Sequence, residues 1–216
     1  METKRVTIFV GHYGSGKTNI AVAYAKYLNS TGKSVTIADM DIVNPYFRTK
    51  DSKGELAKLG IELISSEFAN SNVDLPALPS ELYGVMENKN RFAVLDIGGD
   101  DRGAYALGRF VPLIKEENDY EVIFVANCYR PLTRRPEEAL EVMHEIEAAG
   151  GIKITAIVNN SNLGELTDKE TVTSSEEYAR ELSRISGLPV KFTSVRAELG
   201  LSGEGYFPMT LQEKYY

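Results

Sequence analysis

The chain has 216 residues, a formal net charge of −7 and 43% hydrophobic residues, the make-up of a soluble globular protein with one core. The acidic balance argues against a nucleic-acid-binding surface, and no apolar run approaches the length of a membrane span, so neither partner is expected. A single cysteine, Cys128, excludes an internal disulfide and a CxxC metal or redox pair; its place at the end of an apolar run suits a buried structural thiol.

The N-terminal residues Met1 to Arg5 run straight into a β-branched stretch, Val6 to Val10, leaving no room for a signal peptide. The expected location is therefore the cytoplasm. The stretch from Gly11 to Thr18 reads G-H-Y-G-S-G-K-T and fits the phosphate-loop pattern G-x-x-x-x-G-K-[ST]. In such a loop the backbone N–H groups of Gly11, His12, Tyr13, Gly14, Ser15 and Gly16 curl round phosphate oxygens. The helix that follows turns its positive end to the same anion. Ile20, Ala23, Tyr24, Tyr27 and Leu28 recur at helical spacing, and Gly32 supplies the stop, so strand, loop and helix come in the required order.

Seven strands are expected, at 6–10, 35–38, 61–65, 92–97, 122–127, 153–159 and 190–194. Most are continuous apolar runs, as strands covered on both faces should be. Helical patterns separate them: residues 137–149 end at Gly150-Gly151, and Ser174-Ser175-Glu176-Glu177 reads as a capping box before Tyr178, Leu182 and Ile185. Alternating strands and helices predict an α/β fold, a three-layer α/β/α phosphate-loop domain over residues 1–216 with a mostly parallel sheet of about seven strands. Ligands then belong at the C-terminal ends of the strands.

The second strand ends at Asp39 and Asp41, suited to holding Mg²⁺ and orienting an attacking water, or else to a turn marked by Asn44-Pro45. The fourth ends at Asp96, the acidic strand end that serves Mg²⁺ beside phosphate loops, followed by Gly98 and Gly99, where a backbone N–H can approach a terminal phosphate. Asp100 and Asp101 read first as caps of the next helix. After the fifth strand, Asn127 and Arg130 either touch nucleotide or substrate or form a polar turn before Pro131. The sixth ends in Asn159-Asn160-Ser161-Asn162, where GTP-binding proteins carry N-K-x-D. Asn162 in place of the guanine-reading aspartate favours adenine. The C-terminal stretch "GYFPMTLQEKYY" has aromatics but no basic face and is expected to pack on the domain surface.

With these motifs in place, the sequence resembles the MinD/ParA group of phosphate-loop proteins, which also includes cobyrinic-acid synthase and dethiobiotin synthetase relatives. That resemblance implies that Lys17 binds the β- and γ-phosphates and that Thr18, Asp39 and Asp96 serve Mg²⁺. It implies too that Asp41 positions water and Gly99 senses the γ-phosphate. It departs from the group at His12 and Tyr13, where K-G is usual. Histidine lacks the fixed charge of that lysine, so a trans-acting dimer mechanism is not expected, although a homodimer stays open. The function expected is an ATP-binding protein, a slow Mg²⁺-dependent ATPase that switches between ATP and ADP states on a protein partner. Its switches would be residues 41–48 and 98–103. The alternatives are an ATP-dependent enzyme activating a small carboxylate, with Tyr46, Arg48, Arg130 and Arg196 lining its pocket, and a binding module without turnover.

Overall fold

The apolar runs of the sequence become the inner strands of an eight-stranded sheet in the computed structural model, which describes residues 1–41, 49–65, 80–99 and 101–211. The strands are Val6–Val10 (β1), Val35–Met40 (β2), Glu62–Ser65 (β3), Phe92–Ile97 (β4), Tyr120–Ala126 (β5), Ala156–Asn159 (β6), Val190–Arg196 (β7) and Tyr206–Met209 (β8). In space they run β3-β2-β4-β1-β5-β6-β7-β8, and every pairing among them is parallel.

Parallel neighbours need crossovers, and the helices supply them on both faces. Lys17–Ser30 (α1) and Lys53–Lys58 (α2) cover one face, where Phe9, Ile37, Val94 and Val125 meet Ile20, Tyr24, Leu28 and Leu56. On the other face, Val6, Ile8, Leu95 and Phe124 meet Ser80–Glu87 (α3), Asp101–Gly108 (α4), Val111–Glu117 (α5) and Pro136–Gly150 (α6). Lys169–Ser174 (α7) and Glu176–Ser186 (α8) follow β6, and Tyr178 and Leu182 of α8 join that second layer. The three-layer α/β/α fold of phosphate-loop proteins is therefore the fold of this chain. At the N-terminal ends of the strands, buried Arg5 donates to Glu117 and to the carbonyls of Val85, Met86 and Arg91, tying α3 and α5 to β1.

Three expectations change. The sheet has eight strands rather than about seven, because residues 206–209 of the C-terminal stretch form an edge strand beside β7 instead of packing as surface chain. The sixth strand starts at Ala156 rather than at residue 153. The capping box at Ser174 does not form. Ser175 precedes α8 without a side-chain cap, since its buried Oγ donates to the Val172 carbonyl at 2.7 Å and accepts from Asn159 Nδ2 at 2.9 Å. The side-chain cap lies one helix earlier, where Asp168 Oδ1 accepts from Thr171 N at 2.8 Å at the start of α7. Among the described residues, no helix is long and apolar enough to cross a membrane.

Candidate functional site

The chain passes from β1 to β2 on one side of the sheet and later from β4 to β5 across it, so β1 lies where the strand order reverses. Crevices at such a point hold ligands in α/β sheets. The loop of residues 11–16 opens there and leads into α1. Ser15 N donates to the His12 carbonyl at 3.1 Å, and Lys17 Nζ donates to the same carbonyl at 3.2 Å, folding the lysine back over the loop. His12 Nδ1 donates to the Tyr13 carbonyl at 3.0 Å, while the Tyr13 side chain is exposed. Gly16, the residue before α1, has φ +89° and sits where a Cβ would collide with Asn160 Nδ2, so only glycine fits. The first turn of α1 carries no acidic residue, which leaves the positive helix end uncompensated by its own turn.

The acids converge from neighbouring strands. Asp39 of β2 and Asp96 of β4 are register partners, so their side chains leave the same face of the sheet, the one that carries α1. Both are buried, as is Asp41, whose N–H donates to Asp39 Oδ1 at 3.1 Å. Burial pushes the Asp96 carboxyl up to about 6, against the opposing pull of Lys17 and of the Thr18 and Thr49 hydroxyls. Thr49 Oγ1 donates to Asp96 Oδ2 at 3.0 Å, and Asp96 Oδ1 is buried with no hydrogen-bond partner among the described residues. Gly99 closes the space from β4. A Cβ there would lie 2.6 Å from Tyr13 N and 2.8 Å from Lys17 Nζ, so its backbone rests directly on the loop.

A divalent ion fits this donor set. The described residues contain no group of three or more His, Cys, Asp or Glu that would hold a metal by itself. Mg²⁺ does not need one, since it is commonly held by one or two carboxylates, a hydroxyl and phosphate oxygens. The orphaned Asp96 Oδ1, with Thr18 and Asp39 beside it, offers that partial set.

The ends of β5 and β6 brace the loop. Asn160 Nδ2 donates to the Ser15 carbonyl at 2.6 Å, and Asn160 Oδ1 accepts from Ser194 Oγ at 2.5 Å. Asn127 is a buried hub: its Oδ1 accepts from Tyr129 N at 3.0 Å, and Thr133 Oγ1 donates to its carbonyl at 2.8 Å. Asn159 is fully buried, donating to Ser175 Oγ and accepting from Ser161 N at 3.2 Å. Asn162 Nδ2 donates to the Asn160 carbonyl at 2.7 Å and its Oδ1 accepts from Gly164 N at 3.1 Å. The Asn162 amide is thus spent inside its own loop, and the Asn159 amide between that loop and the start of α8. Arg196 is spent likewise, on Glu198 and the carbonyls of Gly164 and Glu165. Cys128 is half-buried, with burial pushing its thiol up, the opposite of an activated nucleophile.

Residues 11–18, Asp39, Asp41, Asp96 and Gly99 therefore gather at one place, while the side chains of Asn159 and Asn162 are engaged elsewhere, with Ser175 and Ser161 and within the loop after β6. Asn44-Pro45, Tyr46, Arg48 and Asp100 lie outside the described residues, and with them most of the first expected switch. Sequence reasoning missed Asn160 and Thr49. Asn160 was assigned to the lysine position of N-K-x-D, and nothing local marks which of two adjacent asparagines reaches the loop. Thr49 carried no motif at all.

No protein-family profile and no curated protein matches the sequence. Solved structures do match. The cell division protein FtsY from Thermotoga maritima superposes with a TM-score of 0.59 at 20% identity, over 90% of this chain and 63% of that one. The signal recognition particle 54 kDa protein from Aeropyrum pernix, in complex with GDP, gives 0.57 at 17% identity, over 89% of this chain and 41% of that one. FtsY from Mycoplasma mycoides gives 0.57 at 17%, over 88% of this chain and 60% of that one. The chain thus spans less than two thirds of each neighbour's length, and at such identities the likeness shows the fold alone. These neighbours are FtsY and the signal recognition particle 54 kDa protein rather than MinD/ParA proteins, and they overturn the resemblance drawn from the motifs. The reason is physical. A phosphate loop with acidic strand ends serves phosphate and metal in any sheet of this kind, and the lysine that would set the MinD/ParA group apart is His12 here.

Proposed function

We propose that this chain binds a purine nucleoside triphosphate with Mg²⁺ at residues 11–18, hydrolyses it slowly, and acts as a nucleotide switch on a protein partner. The observation that carries this reading is Lys17, folded onto the His12 carbonyl at the start of a helix with no acid in its first turn, with buried Asp96 beside it. Loop N–H groups and the Lys17 ammonium would hold the β- and γ-phosphates. Thr18, Asp39 and Asp96 would hold Mg²⁺, which when bound neutralises charge on the phosphate oxygens. Asp41 would orient the attacking water and accept its proton. The N–H of Gly99, a residue with no room for a Cβ against Tyr13, would meet the terminal phosphate and pass its presence or loss to the chain that follows.

The base is the finer question. The adenine reading rested on Asn162, whose amide is committed to Asn160 and Gly164. The Aeropyrum neighbour holds GDP, which makes guanine the first base to test. The small-carboxylate enzyme reading loses Arg196 from its pocket, since that side chain is held by Glu198 and two carbonyls.

Calorimetric titration with Mg-GTP and Mg-ATP, on the parent and on Lys17→Ala, tests the proposal. The parent should bind at least one of them, the variant should bind neither, and phosphate release should be slow. Equal binding by parent and variant, or none by the parent, would sink it.

A further inference from the structure

We infer that Arg130 is a phosphate-contacting residue of this site, placing its guanidinium charge beside the polyphosphate that residues 11–18 would cradle. The inference rests on the nucleotide reading above. Arg130 lies in the loop between β5 and α6, and its Nε and Cδ come within 3.9 and 4.0 Å of the Cβ position at Gly14, in the middle of the phosphate loop. The side chain is exposed, and its guanidinium makes no hydrogen bond or ion pair among the described residues. An arginine in such a place has all of its donors to offer, in a fork that matches phosphate oxygens.

Its backbone is held in place. Arg130 N donates to the Asn127 carbonyl at 3.1 Å, Thr133 N donates to the Arg130 carbonyl at 3.4 Å, and Thr133 Oγ1 returns to Asn127 at 2.8 Å. Tyr129, next to it, is pinned by its hydroxyl to the Thr171 carbonyl at 2.9 Å. Closing this turn requires Leu132 at φ +65°, a costly conformation for a bulky residue, and leaves this apolar residue 60% exposed. Such strain persists where the surroundings over-determine it, and sites that need a group held ready are where it concentrates. Here the group held ready is Arg130. Of the other two arginines assigned to a substrate pocket, Arg196 is committed to Glu198 and Arg48 lies outside the described residues.

The test compares parent, Arg130→Ala, Arg130→Lys and, as control, Arg196→Ala. Dissociation constants for GDP, GTP, ADP and ATP with Mg²⁺ would be measured at low and high salt, beside ligand-free melting temperatures. Arg130→Ala should melt like the parent without ligand, because no bond is lost. It should bind the preferred nucleotide about tenfold more weakly at low salt, a gap that narrows at high salt as the charge is screened. Arg130→Lys should recover part of the loss, and Arg196→Ala should bind as the parent does. Unchanged affinity in Arg130→Ala, or a loss matched by lower ligand-free stability, overturns the inference and leaves the phosphate-loop reading standing. A parent that binds none of the four nucleotides overturns both.

Discussion

The side-chain amide of Asn160 donates to the Ser15 carbonyl at 2.6 Å, joining the loop after β6 to the phosphate loop across 145 positions of sequence. Its other end accepts from Ser194 Oγ, so one buried side chain ties β6, β7 and the phosphate loop together. Asn160→Ala leaves the Ser15 carbonyl without this donor and takes from Ser194 its closest acceptor. We expect a stability loss of about 1–3 kcal/mol by urea unfolding, with weaker nucleotide binding. Asn160→Asp should not rescue it, because a carboxylate offers an acceptor where the carbonyl needs a donor. Parent-like stability in Asn160→Asp would show that the bond to Ser15 contributes nothing.

Gly99→Ala tests the contact between β4 and the phosphate loop. A Cβ at this position would stand 2.6 Å from Tyr13 N and 2.8 Å from Lys17 Nζ. The Lys17 tip can swing away, but the Tyr13 backbone cannot without reshaping the loop. The expected result is a modest cost in stability, about 1–3 kcal/mol, and a larger loss of nucleotide affinity. Full affinity in the variant would mean that the loop reshapes freely and that Gly99 is no sensor.

Much of this was legible in the sequence, for reasons that differ by residue. The strand, loop and helix from Val6 to Leu28 are written in local chemistry: a β-branched run, glycines at a sharp turn, then helical spacing. Asp96 was legible because an acid ending an apolar run is conspicuous. The strand at Tyr206–Met209 was not, because Gly203, Gly205 and Pro208 argue against a strand. An edge position tolerates them: Pro208 is exposed and lies opposite Val195 on the single neighbour, β7. Asn160 and Thr49 were invisible because their partners, Ser15 and Asp96, are distant in sequence. Asn162 misled because an amide fit to read a base is equally fit to close a turn, which is what it does.

Asp41→Asn separates binding from chemistry. The Asp41 N–H donates to Asp39, and an asparagine keeps that bond. Nucleotide affinity should stay near the parent's, while turnover falls by about 10²-fold or more for want of a group that orients water and takes its proton. Steady-state phosphate release alongside equilibrium binding checks this, and parent-like turnover would remove Asp41 from the role.

Asp96→Asn should reveal the cost of the buried charge. Burial raises the Asp96 carboxyl from 3.8 to about 6, the neighbouring Asp41 adds to the rise, and Lys17, Thr18 and Thr49 only partly offset it. Between those two values the unfolded chain has released this proton while the folded protein still binds it. Stability from this group is therefore full below about pH 3.8 and is lost as pH rises through about 6. Asparagine does not titrate, and its carbonyl can still accept from Thr49. The ligand-free variant should thus gain on the parent as pH rises through this window, with the difference levelling off above it. The other titrating groups are common to both proteins and cancel to first order in the comparison. Urea unfolding of both, at about pH 4.5 and about pH 7.5, reads the difference directly. The same variant should lose Mg²⁺-dependent nucleotide binding, because the carboxylate that costs stability is the one the ion would need. A stability difference that does not change with pH, or a parent that gains on the variant as pH rises, would show that Asp96 is not held protonated by its burial.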